Sequence, residues 1–339
     1  VVKYILKRLA VSIPVLVAVS IISFSTLYFS ERDPARAIAG PKASPATVER
    51  IREQQHLDEP LYVQYYYRMK SLLLEGRLGP SMKTSVPVEE ELADRFGATF
   101  ELTLAAMMLA VIGGVGFGVG SAVYRHTLLD YVSLGIALVG VSVPVFFLGI
   151  LLVILFSGVL GWLPVSGRAP AGLFFEYSTR FYVIEALVRG DVYRLKIFLS
   201  HLALPAIALA TIPMAVITRI TRSSMLDVLN ADFVRTARAK GLPEYAVIGK
   251  HALRNALIDV TTISGVQLGY LLGGAVLTES VFDWPGMGTY LVSRIQFGDM
   301  MAVQGGLLVT AVIFVFLNLA VDLSYAFIDP RVRYAHDDR

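Results

Sequence analysis

Residues 102–124 read LTLAAMMLAVIGGVGFGVGSAVY, 23 consecutive positions without Asp, Glu, Lys or Arg. An α-helix over this stretch is about 35 Å long, enough to cross a hydrocarbon layer of about 30 Å. A charge at the centre of that layer costs about 3 kcal/mol even on lenient scales, so an uncharged run of this length suits a lipid-crossing helix. Five further runs have the same property: 9–30, 131–167, 197–218, 260–278 and 300–321, with 22, 37, 22, 19 and 22 residues. The next longest, 284–293, has only 10. Apolar core helices of soluble proteins usually need only ~10–14 such residues. The expected fold class is therefore an all-α integral membrane protein with six transmembrane helices, at about 9–30, 102–124, 131–156, 197–218, 260–278 and 300–321. The third is placed at 131–156 because Gly158, Gly161 and Pro164 end it, with Trp162 at the interface. The first follows Lys3, Lys7 and Arg8 as a signal peptide would. It exceeds the ~7–15 residues of a signal-peptide apolar region and no clear cleavage site follows, so a retained helix is expected.

Composition agrees with this reading. Of 339 residues, 55% are hydrophobic and 17% charged, with a mean hydropathy of +0.62, whereas soluble domains are about 25% charged. The absence of Cys excludes disulfides, thiol catalysis and thiolate metal sites. A net charge of +3 and a pI of about 9.0 would suit nucleic acid, but the placement of the cations explains them otherwise. With six spans both termini share one side, which carries Lys3, Lys7, Arg8, Arg125, the cations from Arg219 to Arg254, and Arg331, Arg333 and Arg339. That side holds 14 Lys and Arg against 6 in the short loops opposite. The remaining 10 lie in 31–101, a connection longer than the ~60 residues over which the positive-inside rule operates. Both termini are expected in the cytoplasm of a multi-pass cell-membrane protein, and no nucleic-acid partner is needed.

The long 31–101 connection is then a small extracytoplasmic segment. Pro41, Pro45 and Pro60 punctuate it, residues 47–52 have a helical pattern, and Leu61, Tyr62 and Tyr65 to Tyr67 supply an aromatic face. A second amphipathic helix is expected from Pro87 through Glu89, Glu90 and Glu91 into the second span. The segment reads equally well as a cap on the helix ends or as a docking surface for an external partner.

Ion-coupled carriers place carboxylates or His inside spans. Here only His201 lies inside a charge-free run, while Asp259, Glu279 and Asp322 flank such runs. A phosphate-cradling GxxxxGK[ST] loop and a zinc-binding HExxH are both absent, so no catalytic residues, no metal site and no cofactor are assigned. Gly113, Gly114, Gly116, Gly118 and Gly120 crowd the second span, and Gly265, Gly269 and Gly273 recur every four residues in the fifth. Such spacing lets helix backbones approach, either within the chain or against a second membrane subunit. Pro144, Pro205 and Pro213 are expected to kink spans three and four.

Between spans four and five, residues 223–256 read SSMLDVLNADFVRTARAKGLPEYAVIGKHALRNA. Met225, Leu226, Leu229, Phe233, Val234 and Ala237 form one apolar helical stripe, with Arg235, Arg238 and Lys240 beside it. Gly241 suits a helix C-terminal cap and Pro243 the next helix start, with Ala246, Val247, Ala252 and Leu253 as a second stripe. From the residues alone this hairpin is either an interfacial element on anionic lipid or a docking element for a cytoplasmic protein.

RTARAKG at 235–241 followed by HALRNA at 251–256 resembles the coupling loop of binding-protein-dependent ABC importer permeases, within the peptide, oligopeptide and nickel branch. The resemblance extends to GPKASP at 40–45, LDEPLYVQY at 57–65, GRLGPS at 76–81, TESVFDWPGMG at 278–288 and DPRVR at 329–333. It departs at Asp259, where Pro is common, at Pro80, and in the long insert near 165–196. It implies a type I ABC importer permease fold, with residues 1–97 as first helix plus extracytoplasmic segment, 98–328 as permease core containing the 223–256 loop, and 329–339 as a cytoplasmic tail.

What the resemblance implies for function is one of two homologous permease subunits forming the path for peptides, a nickel chelate or an oligosaccharide. Its partners would be a second permease subunit, two cytoplasmic ATPase subunits that bind ATP and Mg, an extracytoplasmic solute-binding protein and the lipid bilayer. Asp232, Arg235, Thr236, Ala237, Arg238, Ala239, Lys240, Gly241, His251, Arg254 and Asn255 would make the ATPase-coupling loop. Glu279, Phe282, Trp284, Pro285 and Gly286 would form an outer gate, or simply a structural Pro-Gly turn with an interfacial Trp. The alternatives from other classes are an ion-coupled secondary transporter and a non-transporting membrane assembly protein.

Overall fold

A computed structural model describes residues 2–26, 33–39, 43–54, 56–170, 172–173 and 179–328. Among them the chain is helical, with one isolated bridge, Pro80 to Pro87, and no strand. The helices are α1 (Val2–Thr26), α2 (Pro34–Ala39), α3 (Pro45–Gln54), α4 (Leu61–Lys70), α5 (Val88–Val123), α6 (Leu128–Ser142) and α7 (Val145–Leu152). After them come α8 (Tyr182–Arg189), α9 (Val192–Leu229), α10 (Asp232–Ala239), α11 (Glu244–Ala246), α12 (Arg254–Val281), α13 (Met287–Phe297) and α14 (Met300–Ile328). Wider π-helical turns occupy Ser71–Glu75, Val153–Val159 and Val247–Leu253. Gly40, Pro41 and Lys42 of the outer motif and the whole 329–339 tail with its DPRVR motif lie outside the described residues.

Three helices, α5, α9 and the Met300–Ala320 part of α14, are long and apolar enough to cross a membrane; the count is five if each of two bent pairs forms one span. The apolar portion of α1, Ala10–Ser25, is shorter. In one bent pair Leu128–Ser142 and Val145–Val159 turn by 108°, so the kink expected at Pro144 is a sharp break within the 131–156 stretch. Val143 there is extended (φ −88°, ψ 125°), the conformation that a following proline imposes. Pro205 and Pro213, by contrast, remain inside one continuous 38-residue α9. Both prolines expected to kink span four are buried in that helix and leave it uninterrupted, although each withholds a backbone donor.

The chain divides into two units, one comprising Phe100–Trp284 and the chain from Asn318, the other Val2–Thr99 with Pro285–Leu317. In the first, α9 is central and packs against α6, α7, α8 and α12. Its N-terminus is capped by Asp191, whose carboxylate accepts from the Arg194 N–H at 3.0 Å. The glycine face of α5 lies on α9: a Cβ on Gly114 would come within 2.7 Å of Ile217, and one on Gly118 within 2.5 Å of Thr221. The chain thus spends these two glycines on its own packing. Large side chains such as Ile112, Leu138 and Val139 remain exposed, as expected of helices whose outer faces meet lipid.

In the second unit, Leu78, Val88, Leu92, Met287, Tyr290 and Ala302 form the core. Three glutamates, Glu89, Glu90 and Glu91, sit in the first turn of α5, where the helix dipole favours them. Glu91 also receives the Arg294 guanidinium at 2.7 Å and the Tyr290 hydroxyl at 2.9 Å. Burial and this carboxylate push the Tyr290 phenol well above its ordinary value. Of the aromatic face expected on the outer segment, Tyr65 packs inward, its hydroxyl 2.6 Å from Ser20 Oγ, whereas Tyr62 and Tyr66 stay exposed.

Candidate functional site

The 223–256 stretch begins inside a helix that is already a span. α9 runs unbroken to Leu229 and then stops, because Ala231 is extended (φ −72°, ψ 149°) as the residue before α10. The Asn230 side-chain amide donates to the Leu226 carbonyl at 2.9 Å, satisfying an acceptor that the ended helix leaves open. The single stripe expected from Met225 to Ala237 is therefore corrected to two helices separated by a bend.

α10 then carries the basic side chains. Val234 and Ala237 are buried against Val247, with Val228 and Leu229 of α9 packed behind them. Helical periodicity turns Arg235, Arg238, Ala239 and Lys240 outward, and all four are exposed. Ala237 faces the interior of the hairpin, so its small side chain serves the packing of the hairpin, and Ala239 is the small residue left on the outside. Asp232 and Arg235 pair loosely at 3.4 Å, and the Thr236 hydroxyl donates to the Asp232 carbonyl at 2.9 Å.

Gly241 makes the turn, at φ +75°, a conformation that favours glycine because no Cβ has to be accommodated. Pro243 then starts α11, and the chain passes through the π-helical Val247–Leu253 directly into α12. The second arm of the hairpin thus runs into the long helix α12, so the bend at Gly241 lies between α9 on one side and α12 on the other. Near its base Ala122, Met225, Ala252 and Ala256 form a small core. Asn255 donates to the His251 carbonyl at 2.7 Å, His251 is half-buried, and Arg254 is exposed. Asp259, the departure from the family pattern, accepts the Ser224 hydroxyl at 2.5 Å and so ties α12 to α9.

Arg238 reaches across the turn to Glu244, its Nη2 donating at 2.7 Å and its Nε at 3.3 Å. This hydrogen bond holds the Glu244 carboxyl below its ordinary value and raises the Arg238 guanidinium. A carboxylate whose folded pKa is depressed contributes stability above its unfolded value of about 4.3, and the contribution is lost as pH falls through the lower folded value. Amide exchange in α10 should therefore accelerate, relative to α9, as pH falls from 5 towards the lower folded value of Glu244, and Glu244→Gln should remove that dependence. The effect is small, because the side chains are 44% and 54% exposed.

The residues expected at an outer gate divide between the two units. In the first, Glu279, Phe282 and Trp284 are all buried, the last at 1% exposure. Trp284 N–H closes a turn on the Glu279 carbonyl at 2.8 Å, and the Phe282 carbonyl accepts from Gly167 N–H at 2.8 Å. A Cβ on Gly149 would touch the Phe282 ring at 3.0 Å. In the second unit, Pro285 and Gly286 precede α13, whose Thr289 side chain accepts from the Gly286 N–H at 3.1 Å. Trp284, offered by the sequence as a candidate interfacial residue, is a core residue instead.

Two buried ionic clusters in the first unit escaped sequence reasoning. Glu101 pairs with Arg168 at 2.5 Å and also accepts the Val183 N–H at 2.7 Å and the Ile184 N–H at 3.3 Å. The Arg168 guanidinium lies 3.8 Å over the Tyr182 ring. This clamp holds the start of the long insert near 165–196. Asp130 accepts from Arg222 Nε at 2.9 Å and Nη2 at 3.0 Å, and from the Ser121 hydroxyl. Glu101 and Asp130 each border a charge-free run, which was the available signal. Among the described residues no group of three or more His, Asp or Glu side chains is placed to hold a metal.

Known proteins similar in sequence or fold give the arrangement its context. Residues 114–334 match the family described as binding-protein-dependent transport system inner membrane component, and residues 1–103 match the N-terminal membrane component of the same systems. The dipeptide transport system permease protein DppB of Alkalihalophilus pseudofirmus is 46% identical over 331 residues, 98% of this chain and 99% of that one. DppB of Escherichia coli is 41% identical over 336 residues, again 98% and 99%, and the glutathione transport system permease protein GsiC of Escherichia coli is 40% identical over 331 residues, with the same coverage. A chain of the MetNI methionine ABC transporter in inward-facing conformations has the same fold, with a TM-score of 0.50 at 16% identity, covering 70% of this chain and 96% of that one. The match over both parts of the sequence, with relatives collinear from end to end, leaves one conclusion: the chain belongs to the family of inner membrane components of binding-protein-dependent transport systems.

Proposed function

We propose that this chain is one of two homologous permease subunits that enclose the translocation path of an ATP-driven peptide importer, and that its 231–255 hairpin is the joint to a cytoplasmic ATPase. The single observation that carries the coupling role is the bend at Gly241. It presents exposed Arg235, Arg238 and Lys240 while both of its arms continue into α9 and α12. Movement of the bend is thus mechanically connected to two membrane helices. Exposed guanidinium and ammonium groups supply charge-assisted hydrogen bonds to carboxylates of a partner.

In this reading α1, α5, the bent α6–α7 pair, α9, α12 and α14 are six spans with cytoplasmic termini, and the segment after α1 is extracytoplasmic. The domain layout is 1–97, a 98–328 core and a 329–339 tail. Two ATPase subunits bind ATP and Mg, and a solute-binding protein delivers cargo to the outer side, where Glu279, Phe282, Trp284, Pro285 and Gly286 control opening. Peptide cargo is supported by relatives named for dipeptides and glutathione. ATP and loaded receptor must each favour the outward-open state, since a ligand shifts an equilibrium only through differential affinity.

The test uses the chain's lack of cysteine. Lys240→Cys introduces a single labelling site at the bend. In vesicles containing the permease pair, ATPases and receptor, a photo-cross-linker at this site is expected to capture an ATPase subunit. Dipeptide uptake should require ATP and be blocked by the cross-link. Capture of lipid alone, or uptake driven by an ion gradient without ATP, would overturn the reading.

A further inference from the structure

The insert near 165–196 carries a surface that the transport reading does not use. Its helix α8 reads YVIEALVR from Tyr182 to Arg189, and Glu185 and Ala186 are buried on one side of it. Ile184, Leu187 and Val188 share the other side, at the helical spacing i, i+3, i+4, and are 38%, 60% and 83% exposed. Val192 and Tyr193, in the first turn of α9, are exposed as well. An apolar patch of this kind marks a surface that meets another molecule or a membrane.

Two attachments fix where the patch lies. At the start of α8 the Val183 and Ile184 N–H groups donate to Glu101 at 2.7 and 3.3 Å, and the Tyr182 ring centroid lies 5.3 Å from that of Phe198 on α9. At its end Gly190 turns the chain at φ +67°, and Asp191 caps α9. Both ends of α8 are therefore tied to the first two turns of α9, between Val192 and Phe198, a rise of about 9 Å. Glu101 and Lys196 are the last charged residues before the uncharged runs 102–124 and 197–218. A helix of eight residues, about 12 Å long, held in this way stays at the level where α5 and α9 enter those runs.

The chemistry at that level selects lipid as the occupant. Leu199, itself exposed, follows Val192 by seven residues, or two helical turns, so the patch continues along α9 into its uncharged run. Exposed Lys196 stands between the two, and exposed Arg189 closes the end of α8. Apolar side chains bordered by Lys, Arg and Tyr fit the boundary between acyl chains and phosphate headgroups, where long cationic side chains reach the phosphates.

We propose that α8 is an interfacial helix whose Ile184, Leu187 and Val188 side rests in the headgroup boundary of the phospholipid bilayer and anchors the insert to the membrane surface. The inference rests on α5 and α9 being spans, as in the reading above, and uses nothing about cargo or ATPases.

Because the chain has no cysteine, Ile184→Cys, Leu187→Cys, Val188→Cys and Arg189→Cys each accept one nitroxide label. The full-length variants are placed in nanodiscs of phosphatidylcholine with phosphatidylglycerol. Collision of the label with oxygen, which concentrates in lipid, is compared with collision with a water-soluble nickel chelate. Oxygen is expected to exceed the chelate at least twofold at the first three positions, and the chelate to dominate at Arg189→Cys. Ile112→Cys, exposed within the 102–124 run of α5, reports the span itself and should favour oxygen. Chelate dominance at Leu187→Cys and Val188→Cys, with oxygen dominance at Ile112→Cys, overturns the inference and leaves the span reading standing. Chelate dominance at Ile112→Cys overturns both. Little collision with either reagent at Leu187→Cys and Val188→Cys means that protein covers the patch, and equal ratios at all four α8 positions mean that no one side of the helix selects lipid. Either result also overturns the inference.

Discussion

Gly241→Val is expected to lower ATP-dependent uptake at least tenfold while the chain still inserts into the membrane at normal levels. The reason is conformational. Gly241 is held at φ +75°, where a non-glycine residue costs about 1–2 kcal/mol and a β-branched one more. No atom lies within 4 Å of a Cβ built there, so the substitution meets open space and does not act by collision. The strain is relieved when the backbone leaves the left-handed region, which swings α10 away from Val247 and displaces Arg235, Arg238 and Lys240 together. The spans, whose stability comes from packing far from this turn, are unaffected. Gly241→Asn is the control: asparagine tolerates the left-handed region better than other side chains and should retain most uptake. Equal uptake by the glycine and valine proteins, measured with labelled dipeptide in reconstituted vesicles, would remove the coupling role of the bend.

The largest expected effect on stability belongs to a residue outside any motif. Arg168→Met should destabilise the first unit by about 3–5 kcal/mol, because it leaves the Glu101 carboxylate buried without its cation. Both side chains are nearly inaccessible, at 7% and 3% exposure. The backbone donors of Val183 and Ile184 still reach Glu101, which places the loss toward the lower end of that range. Glu101→Gln combined with Arg168→Met should recover part of it, since the double change removes both charges and the two residues are in contact. Thermal unfolding of the detergent-solubilised single and double variants is the measurement. A single variant within about 0.5 kcal/mol of the unmodified protein would show that the clamp does not stabilise the fold.

These two residues stand at opposite ends of what could be read beforehand. Gly241 announces itself locally: glycine after a basic helix and two residues before a proline is a turn signal whatever surrounds it. Arg168 has no local signal, because its partner is 67 residues away and its only sequence mark is that it ends a charge-free run. The prolines show the same contrast within one residue type. A break of 108° falls at Pro144, whereas Pro205 and Pro213 lie buried inside the uninterrupted α9.

The arrangement of side chains about the turn was legible only in part. Periodicity put Val234 and Ala237 on the apolar face, where they are buried. It did not show that α9 would stop at Leu229, since the apolar stripe runs on through the point where Ala231 turns extended and α10 begins. Nor could it show that Trp284, in a Pro-Gly turn, would be a core residue.

By itself the sequence determined the helical, membrane-protein class, since a backbone surrounded by lipid must satisfy its polar groups internally and long uncharged runs do so as helices. It also determined the turn at Gly241, a property of one residue and its neighbours. Tertiary structure alone decided which charges were paired and buried. Arg168 with Glu101, Arg222 with Asp130, and Arg294 with Glu91 join residues 67, 92 and 203 positions apart. Such pairs exist only once the helices have met, because the desolvation that makes each partner indispensable is created by that packing.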